Sequence, residues 1–383
     1  MSKDGNSYII GTNVHTTNEY NYYGSFEVFT NTNGTWDKKG ETLSGVLGEG
    51  LGTGLAINQD GTIIAAVGAD YENMKGITKI YMWENNAWIE KQNFIGKHNW
   101  ENSPYNSHTA LNDDVTILAV TGPNYTLDLN GTTYPQNSYV KIYELTGGVY
   151  VQKGNTIYGN YFDNHPLGQQ LGSRGLEFNS DGSVIIIGCI GHRTALVYEW
   201  NGNDWVKKGR TLTQVIDHQP LPNDDGEDLY GSSVSINDSG NIIAVGCKYG
   251  DKIDIHSTGY VEIYEWNENE NDWIQKGSRL YGYNTYYDTG GNSISLNNNG
   301  LIICYASNWY NYKGMVQVAR FDTVINDWVL INGPNGDSII TRDDLIFNAR
   351  YGTNVSLNGM GTRFIVNAPN QNDGLIEIYD LIT

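Results

Sequence analysis

Residues 231–246 read GSSVSINDSGNIIAVG, and after a polar stretch residues 259–282 read GYVEIYEWNENENDWIQKGSRLYG. Four segments follow one another here. The first alternates, with Val234 and Ile236 on either side of Ser235, as a half-buried strand does. Asn237-Asp238-Ser239-Gly240 then supplies turn residues, the glycine being suited to positive φ. The second segment, IIAV, is apolar without interruption, so a strand made from it must be covered on both faces. The third alternates and ends in Tyr264-Glu265-Trp266. The fourth opens on Trp273 and turns polar toward Lys276-Gly277, as an outer strand facing water should.

The order recurs along the chain. GTGLAINQDGTIIAAVGA at 52–69 precedes ITKIYMWENNAWIEK at 77–91, and GSRGLEFNSDGSVIIIGC at 172–189 precedes ALVYEWNGNDWVKKG at 195–209. A degenerate copy holds TALNDDVTILAVTGP at 109–123 and VKIYEL at 140–145. Two late copies carry GNSISLNNNGLIICYA at 291–306 and YGTNVSLNGMGTRFIVNAP at 351–369, and the chain enters midway through a unit with KDGNSYIIGTN at 3–13. A four-stranded antiparallel sheet returning every 50 to 70 residues or so, with its inner strands sandwiched, is the arithmetic of a β-propeller blade. An open stack would leave two bare sheet faces, which closure into a ring removes. Six first, seven second, seven third and six fourth strands are expected, giving an all-β, seven-bladed propeller of antiparallel blades, with the first and last incomplete, in one domain over 1–383. A six-bladed ring with extra terminal strands is the alternative. The tryptophans that flank the third hairpins, Trp83 with Trp88, Trp200 with Trp205 and Trp266 with Trp273, are expected to pack blade against blade.

Composition agrees. The chain has 383 residues with 46 Gly, 46 Asn, 28 Tyr and 10 Trp, a mixture poor for helices and good for turns and pleated surfaces. The 43 acidic side chains against 23 basic ones leave a net charge of −20, which disfavours nucleic acid and anionic lipid as partners. No apolar run is long enough to cross a membrane as a helix, and the start lacks the pattern of a signal peptide, so a cytoplasmic or particle-associated protein is expected. Cys189, Cys247 and Cys304 fall at the ends of apolar runs where other copies carry alanine, and read as small buried thiols.

The pattern Gly-x-Ser-x-Ser-x-Asn-x-Asp-Gly-x-x-Ile-Ala-x-Gly-Ala, followed by Gly-x-Val-x-Ile-Tyr-Glu-Trp, resembles the FG-GAP-type repeat of integrin α-subunit-like propellers over nearly the whole chain. The resemblance implies a seven-bladed propeller with an adhesive or protein-binding role. The calcium loops of that family have no counterpart here: Asn58-Gln59-Asp60-Gly61, Asn237-Asp238-Ser239-Gly240 and Asn297-Asn298-Asn299-Gly300 are too short and too poor in acids to cage Ca²⁺, so no metal and no cofactor is expected.

The connections from strand two to three, and from strand four to the next strand one, leave a blade at the same end, and these are the long and variable ones. Trp100, Tyr105, Tyr161, Phe162, Tyr283, Tyr286, Tyr287, Trp309 and Tyr310 make that end aromatic and are the candidate binding residues. The seven histidines lie in or beside these loops without metal-ligand spacing, the acidic stretch Asp224, Asp225, Glu227 and Asp228 reads as loop solvation, and neither a phosphate loop nor a Gly-x-Ser-x-Gly elbow is present. The expectation is a non-enzymatic propeller that holds a protein partner through the long-loop end, as a structural component of a surface or particle such as a virion. A lectin-like module binding glycans is the alternative. A propeller glycoside hydrolase or lyase is the third reading, because carboxylates gathered from several blades leave no trace in spacing. The sequons at Asn33, Asn124, Asn130, Asn237 and Asn354 are no more than an Asn-rich chain should contain by chance. Asn354, moreover, is expected inside an inner strand, which argues against glycosylation.

Overall fold

The computed structural model describes the chain except for residues 13–22, 71–74, 96–107, 130–131, 160–170, 215–227, 253–254, 256, 284–287, 334–336, 372–373 and 382–383. The described residues form seven antiparallel sheets, so the fold is a seven-bladed β-propeller rather than a six-bladed one. The fifth sheet shows the plan: Tyr230–Ile236, Ile242–Cys247, Tyr260–Asn267 and Asp272–Gln275 lie side by side in chain order, and Leu280–Tyr281 continues the outer strand after a break. Outer strands are broken in the same way in the first, third and fourth sheets, a feature the spacing did not reveal. Counting each broken strand once, the described residues hold six first, seven second, seven third and six fourth strands, as expected. The first sheet begins with a second strand, Ser7–Thr12, and the seventh, Val355–Leu357, Arg363–Ala368 and Leu375–Asp380, ends with a third.

Two compact units divide the chain: Met1–Ser183 with Trp200–Val206, and Val184–Glu199 with Lys207–Thr383. In the second unit every residue of Val184–Cys189 and of Ile242–Cys247 is buried. Ile243 and Val245 face one core, together with Val184, Ile186 and Val197, while Ile242 and Ala244 face another, with Ile303, Tyr305 and Ala319. An uninterrupted apolar run thus serves two cores at once. In the first unit Ile64 and Ala66 pack on Phe26 and Val28 in the same manner, while Ala65 turns to Leu118 and Val120. Truncating such a side chain to alanine generally costs about 2–5 kcal/mol.

The inner hairpins are closed by an asparagine. Asn237 Oδ1 accepts the backbone N–H groups of Asn241 (3.0 Å) and Ile242 (2.8 Å), and its amide donates to Ser239 Oγ (3.0 Å). Asn58, Asn297 and Asn358 repeat this acceptance in their own turns. In the second turn the oxygen of Asp60 that accepts from Asn58 (2.7 Å) is also the acceptor for the Thr62 amide, so it is occupied in closing the turn. Successive turns are tied together by backbone bonds, Asp238 N–H to Asn298 O (3.0 Å) and Asn298 N–H to Gly359 O (2.8 Å) among them. Asn354 is not in the inner strand as expected. It occupies an exposed bend just before Val355–Leu357, where its N–H donates to Asn367 Oδ1 (2.8 Å).

The tryptophans join neighbouring sheets, as expected. Indoles pair within hairpins at centroid distances of 5.1 Å (Trp83, Trp88), 5.5 Å (Trp200, Trp205) and 5.2 Å (Trp266, Trp273). The second indole of each pair donates Nε1–H to a carbonyl in the preceding sheet: Trp88 to Lys39 (2.8 Å), Trp205 to Lys153 (3.0 Å) and Trp273 to Lys208 (2.9 Å), with Trp328 reaching Lys276 (2.8 Å). The glycine after each lysine leaves the space. Gly209 has φ +73° and a Cβ there would lie 2.8 Å from the Trp273 ring, while Gly277 (φ +72°) would meet Trp328 at 2.7 Å. The three cysteines are free and buried, as expected, and burial pushes the Cys189 thiol up to about 11. Among the described residues the only helical segments are two short 3₁₀ turns, Ile190–His192 and Tyr310–Tyr312, and none is long and apolar enough to cross a membrane.

Two outcomes follow from these joints. Trp273→Phe removes the Nε1–H donor, strands the Lys208 carbonyl and leaves a small void where the fully buried indole was, and is expected to lower unfolding free energy by about 1–3 kcal/mol in urea titrations. Asp327 accepts the Ser278 amide (2.7 Å), the Trp328 amide (2.8 Å) and the Ser278 hydroxyl (2.9 Å), and these bonds, the Ser278 amide first, hold its carboxyl below the ordinary 3.8. A folded-state pKa below the unfolded one stabilises above about pH 4 and loses that contribution as pH falls through the lowered value. Thermal melts between pH 6 and pH 2 should therefore show a shallower acid limb in Asp327→Asn than in the wild type.

Candidate functional site

At the long-loop end, an acidic residue recurs three positions ahead of a positive-φ glycine on the approach to strand one: Glu49 before Leu51-Gly52, Asp228 before Tyr230-Gly231, and Asp288 before Gly290-Gly291. All three are buried, with exposures of 1%, 6% and 0%. Glu49 is neutralised by Lys79 at 2.5 Å. Gln214 Nε2 donates to Asp228 Oδ2, and the Asp228 carbonyl accepts the Cys247 thiol (3.2 Å) and the Tyr249 amide (3.0 Å). This corrects the reading of Asp228 as part of a solvated loop. The chain turns it inward to bridge the start of one strand and the end of the next. Asp224, Asp225 and Glu227 lie outside the described residues.

Two further buried charges stand at this end of the fifth sheet. Lys248 directly follows the buried second strand and sets its ammonium 5.2 Å from the Tyr249 ring centroid. Asp251 accepts the Ser257 amide at 2.7 Å. The backbone around them is under strain: Leu229, Ser257 and Thr289 have φ of +51°, +52° and +59°, a region costly for side chains other than glycine and for β-branched ones above all.

Behind these groups Glu262 is fully buried and accepts from three sides: Tyr230 OH (2.9 Å), Tyr264 OH (2.6 Å) and Arg279 Nε (2.7 Å). The Arg279 guanidinium lies over the Tyr260 ring at 4.6 Å. Burial, and then the Glu262 charge, pushes the Tyr230 hydroxyl well above its ordinary value. The Cys247 thiol is raised by burial and donates to the Asp228 carbonyl, so the Tyr260 hydroxyl beside it has no well-formed bond of its own. The seventh sheet repeats the network, with Glu377 accepting Tyr351 OH and Tyr379 OH at 2.9 Å each and Arg342 Nη1 at 2.5 Å.

Of the nine aromatic candidates, Trp100, Tyr105, Tyr161, Phe162, Tyr286 and Tyr287 lie outside the described residues. The other three lie at the long-loop end of the sixth sheet. Tyr283 and Tyr310 meet edge to face at 5.4 Å, and the Tyr310 hydroxyl is raised by burial and by the nearby Tyr283 and Asp288. Trp309 lies under the Arg350 guanidinium at 5.3 Å, and Asn311, Tyr312 and Arg350 all have positive φ. Buried carboxylates, a buried lysine and a strained aromatic rim therefore occupy one end of the fifth and sixth sheets. Such a set can take a proton from water, offset a developing negative charge and stack against a ring. The recurring acid ahead of strand one was the signal in the sequence that would have found the carboxylates. Among the described residues no three His, Cys, Asp or Glu side chains converge as metal ligands. A cleft of about 350 Å³ lined by Trp266, Ile274, Lys276 and Asn326 lies at the opposite, short-turn end, and holds the Glu265–Lys276 ion pair rather than reactive groups.

No family model and no curated protein sequence matches the chain. Solved propellers do. A proposed 6-phosphogluconolactonase from Bacteroides uniformis is 10% identical, with 98% of this chain and 95% of that one covered and a TM-score of 0.61. The periplasmic gluconolactonase PpgL of Pseudomonas aeruginosa is 11% identical over 98% and 96%, with a TM-score of 0.52. The β-propeller domain of Cps50 (Swd1) from Myceliophteria thermophila is 7% identical over 100% and 94%, with a TM-score of 0.59. At such identities the likeness is one of fold. It nonetheless overturns the expectation of a non-enzymatic protein-binding or structural module, because that expectation leaned on missing catalytic motifs. Two of these solved propellers carry a lactonase description, and carboxylates gathered from several blades would leave no contiguous motif, so missing local motifs do not count against catalysis.

The buried pair behind the site gives a test of its own. Glu262→Ala removes the carboxylate that faces the buried Arg279 guanidinium and is expected to cost about 3–5 kcal/mol, whereas Lys38→Ala, which breaks the exposed Lys38–Glu27 pair (2.7 Å), is expected to cost under about 1 kcal/mol. Guanidinium titration of both variants measures the contrast.

Proposed function

We propose that the chain is a propeller hydrolase that opens a sugar-derived lactone at its long-loop end, acting as one domain over residues 1–383. The observation that carries this reading is the buried Asp228 carboxylate, held by Gln214 where strand one begins, at the same end of the fifth sheet as the buried Lys248. The lactonase descriptions of PpgL and the Bacteroides protein support the choice of substrate class. Asp228 takes a proton from water as the oxygen attacks the lactone carbonyl, and Lys248 offsets the alkoxide of the tetrahedral intermediate. Collapse of that intermediate breaks the ring C–O bond, and the ring oxygen leaves as a hydroxyl after receiving the proton. The products are a hydroxy-carboxylate and one released proton. Tyr283, Tyr310 and Trp309 supply flat faces for a pyranose-like ring, which keeps these aromatics as binding residues in the role of substrate platform. The net charge of −20 favours a small substrate over a polyanion.

The finer kinship with FG-GAP-type repeats we retain as a proposal about descent only, supported by the repeated Gly-x-Ser-x-Ser and Tyr-Glu-Trp order.

Proton release from glucono-δ-lactone and from its 6-phosphate, followed with a pH indicator, tests the function. Hydrolysis above the spontaneous rate is expected for at least one of them. Asp228→Asn should lower kcat by roughly 10²–10⁴-fold, the usual contribution of general base catalysis. Tyr283→Ala should act mainly on KM. Wild-type protein that leaves both lactones at their spontaneous rates would refute the reading.

A further inference from the structure

The aromatic rim does not stop at Tyr310. Two residues on, Tyr312 ends the same 3₁₀ turn and stacks on Phe347, which comes from the connection between the sixth and seventh sheets. The ring centroids lie 5.1 Å apart with 28° between the planes. Both rings face water, Tyr312 being 56% and Phe347 73% exposed. Apolar residues scattered singly over a surface need no explanation, whereas joined ones mark a contact.

The pair is also held still. Asn348 N–H donates to Tyr312 O (2.7 Å), Tyr351 N–H to Lys313 O (2.7 Å) and Gly314 N–H to Tyr310 O (2.8 Å). On either side of Phe347, Ile346 N–H donates to Gln371 Oε1 (2.8 Å) and Asn370 Nδ2 to the Asn348 carbonyl (3.0 Å). Asn311, Tyr312, Asn348 and Arg350 adopt φ of +46°, +59°, +63° and +57°, so residues with side chains are kept where glycine is preferred. Strain retained at a surface, among bonds that fix two open rings, calls for a functional reason. Asn311 and Asn370 are exposed next to these segments and bring amide groups, each with donor and acceptor capacity.

We infer that Tyr312 and Phe347 receive a second sugar ring, so that the substrate is the lactone of a disaccharide, a glucono-δ-lactone bearing a pyranose on O4; this rests on the lactonase reading. The order of groups supports it. Asp228 and Lys248 belong to the fifth sheet, Tyr283 and Tyr310 meet beside the sixth, and Tyr312 and Phe347 follow toward the seventh. A ring linked to one held at Tyr283 and Tyr310 reaches the next pair, because Tyr310 and Tyr312 share one turn. A pyranose offers a C–H face to an aromatic ring and hydroxyls to neighbouring amides, and both are met here. The net charge of −20 disfavours a second copy of the chain as the occupant.

The ratio of kcat/KM for cellobiono-δ-lactone to that for glucono-δ-lactone, followed by proton release, reads the second ring and cancels any difference in folded fraction. It is expected to exceed one in the wild type and to fall about five- to tenfold in Phe347→Ala, as the loss of one aromatic contact implies. Tyr312→Asn, whose new side chain tolerates positive φ, should lower it likewise. Cellobiose titrated by calorimetry reads the same contact without turnover, and should bind Phe347→Ala about five- to tenfold more weakly than the wild type. Failure of the hydrolase reading shows as absent turnover with the cellobiose contrast kept. Failure of this inference shows as a ratio that both variants leave unchanged, or as cellobiose binding that neither variant weakens. Sedimentation that finds wild-type dimers dissolved by Phe347→Ala also overturns it, because a second copy would then cover the rings.

Discussion

A strand that is apolar on both faces is the constraint from which the rest of the structure follows. Ile242–Cys247 and Val184–Cys189 expose no residue to water, yet each lies in a sheet with its own outer strand turned to solvent. Such a strand is stable only when its sheet has a neighbour on either side, so one blade alone would leave a face of IIAV or VIII bare. The demand is met by repetition. Ile243 and Val245 serve one interface and Ile242 and Ala244 the next, which makes each sheet a partition between two cores rather than the wall of one.

Repetition also decides how the sheets are joined where hydrophobic burial is thin. At the short-turn end the joint is a chain of backbone bonds between asparagine-closed turns. At the outer rim it is an indole that reaches the carbonyl of the previous sheet's lysine. Both are directional, so they fix the angle and height of neighbouring sheets where side-chain packing alone would tolerate sliding.

The fold was legible because it rests on period and on turn chemistry, and both are local. Val234 and Ile236 around Ser235, the Asn-x-x-Gly turns and the Trp-to-Lys-Gly outer strands can each be read within ten residues or so. The break in the outer strand escaped because it depends on an indole from a different sheet. The site was less legible for a similar reason. Asp228 sits in a run of acids that looks like any solvated loop, and only its place two residues ahead of Tyr230-Gly231, shared with Glu49 and Asp288, marks it as one that turns inward. The expectation of a non-enzymatic module rested on the lack of contiguous catalytic motifs, and a propeller site gathered from several blades would leave no such motif. Aromatic residues in long loops were legible as a class, but sequence alone did not show that Tyr283 meets Tyr310 while Trp309 is capped by Arg350.

The glycine that seats each rim indole has an effect beyond that contact. By interrupting the outermost strand after Lys39, Lys153, Lys208 and Lys276, it leaves those four sheets with short, offset outer stretches of backbone instead of long straight ones. Crowded molecules that meet at these four rims find no lengthy matching template for fibril growth, so a residue whose first duty is to make room for a ring also guards them against self-templated aggregation.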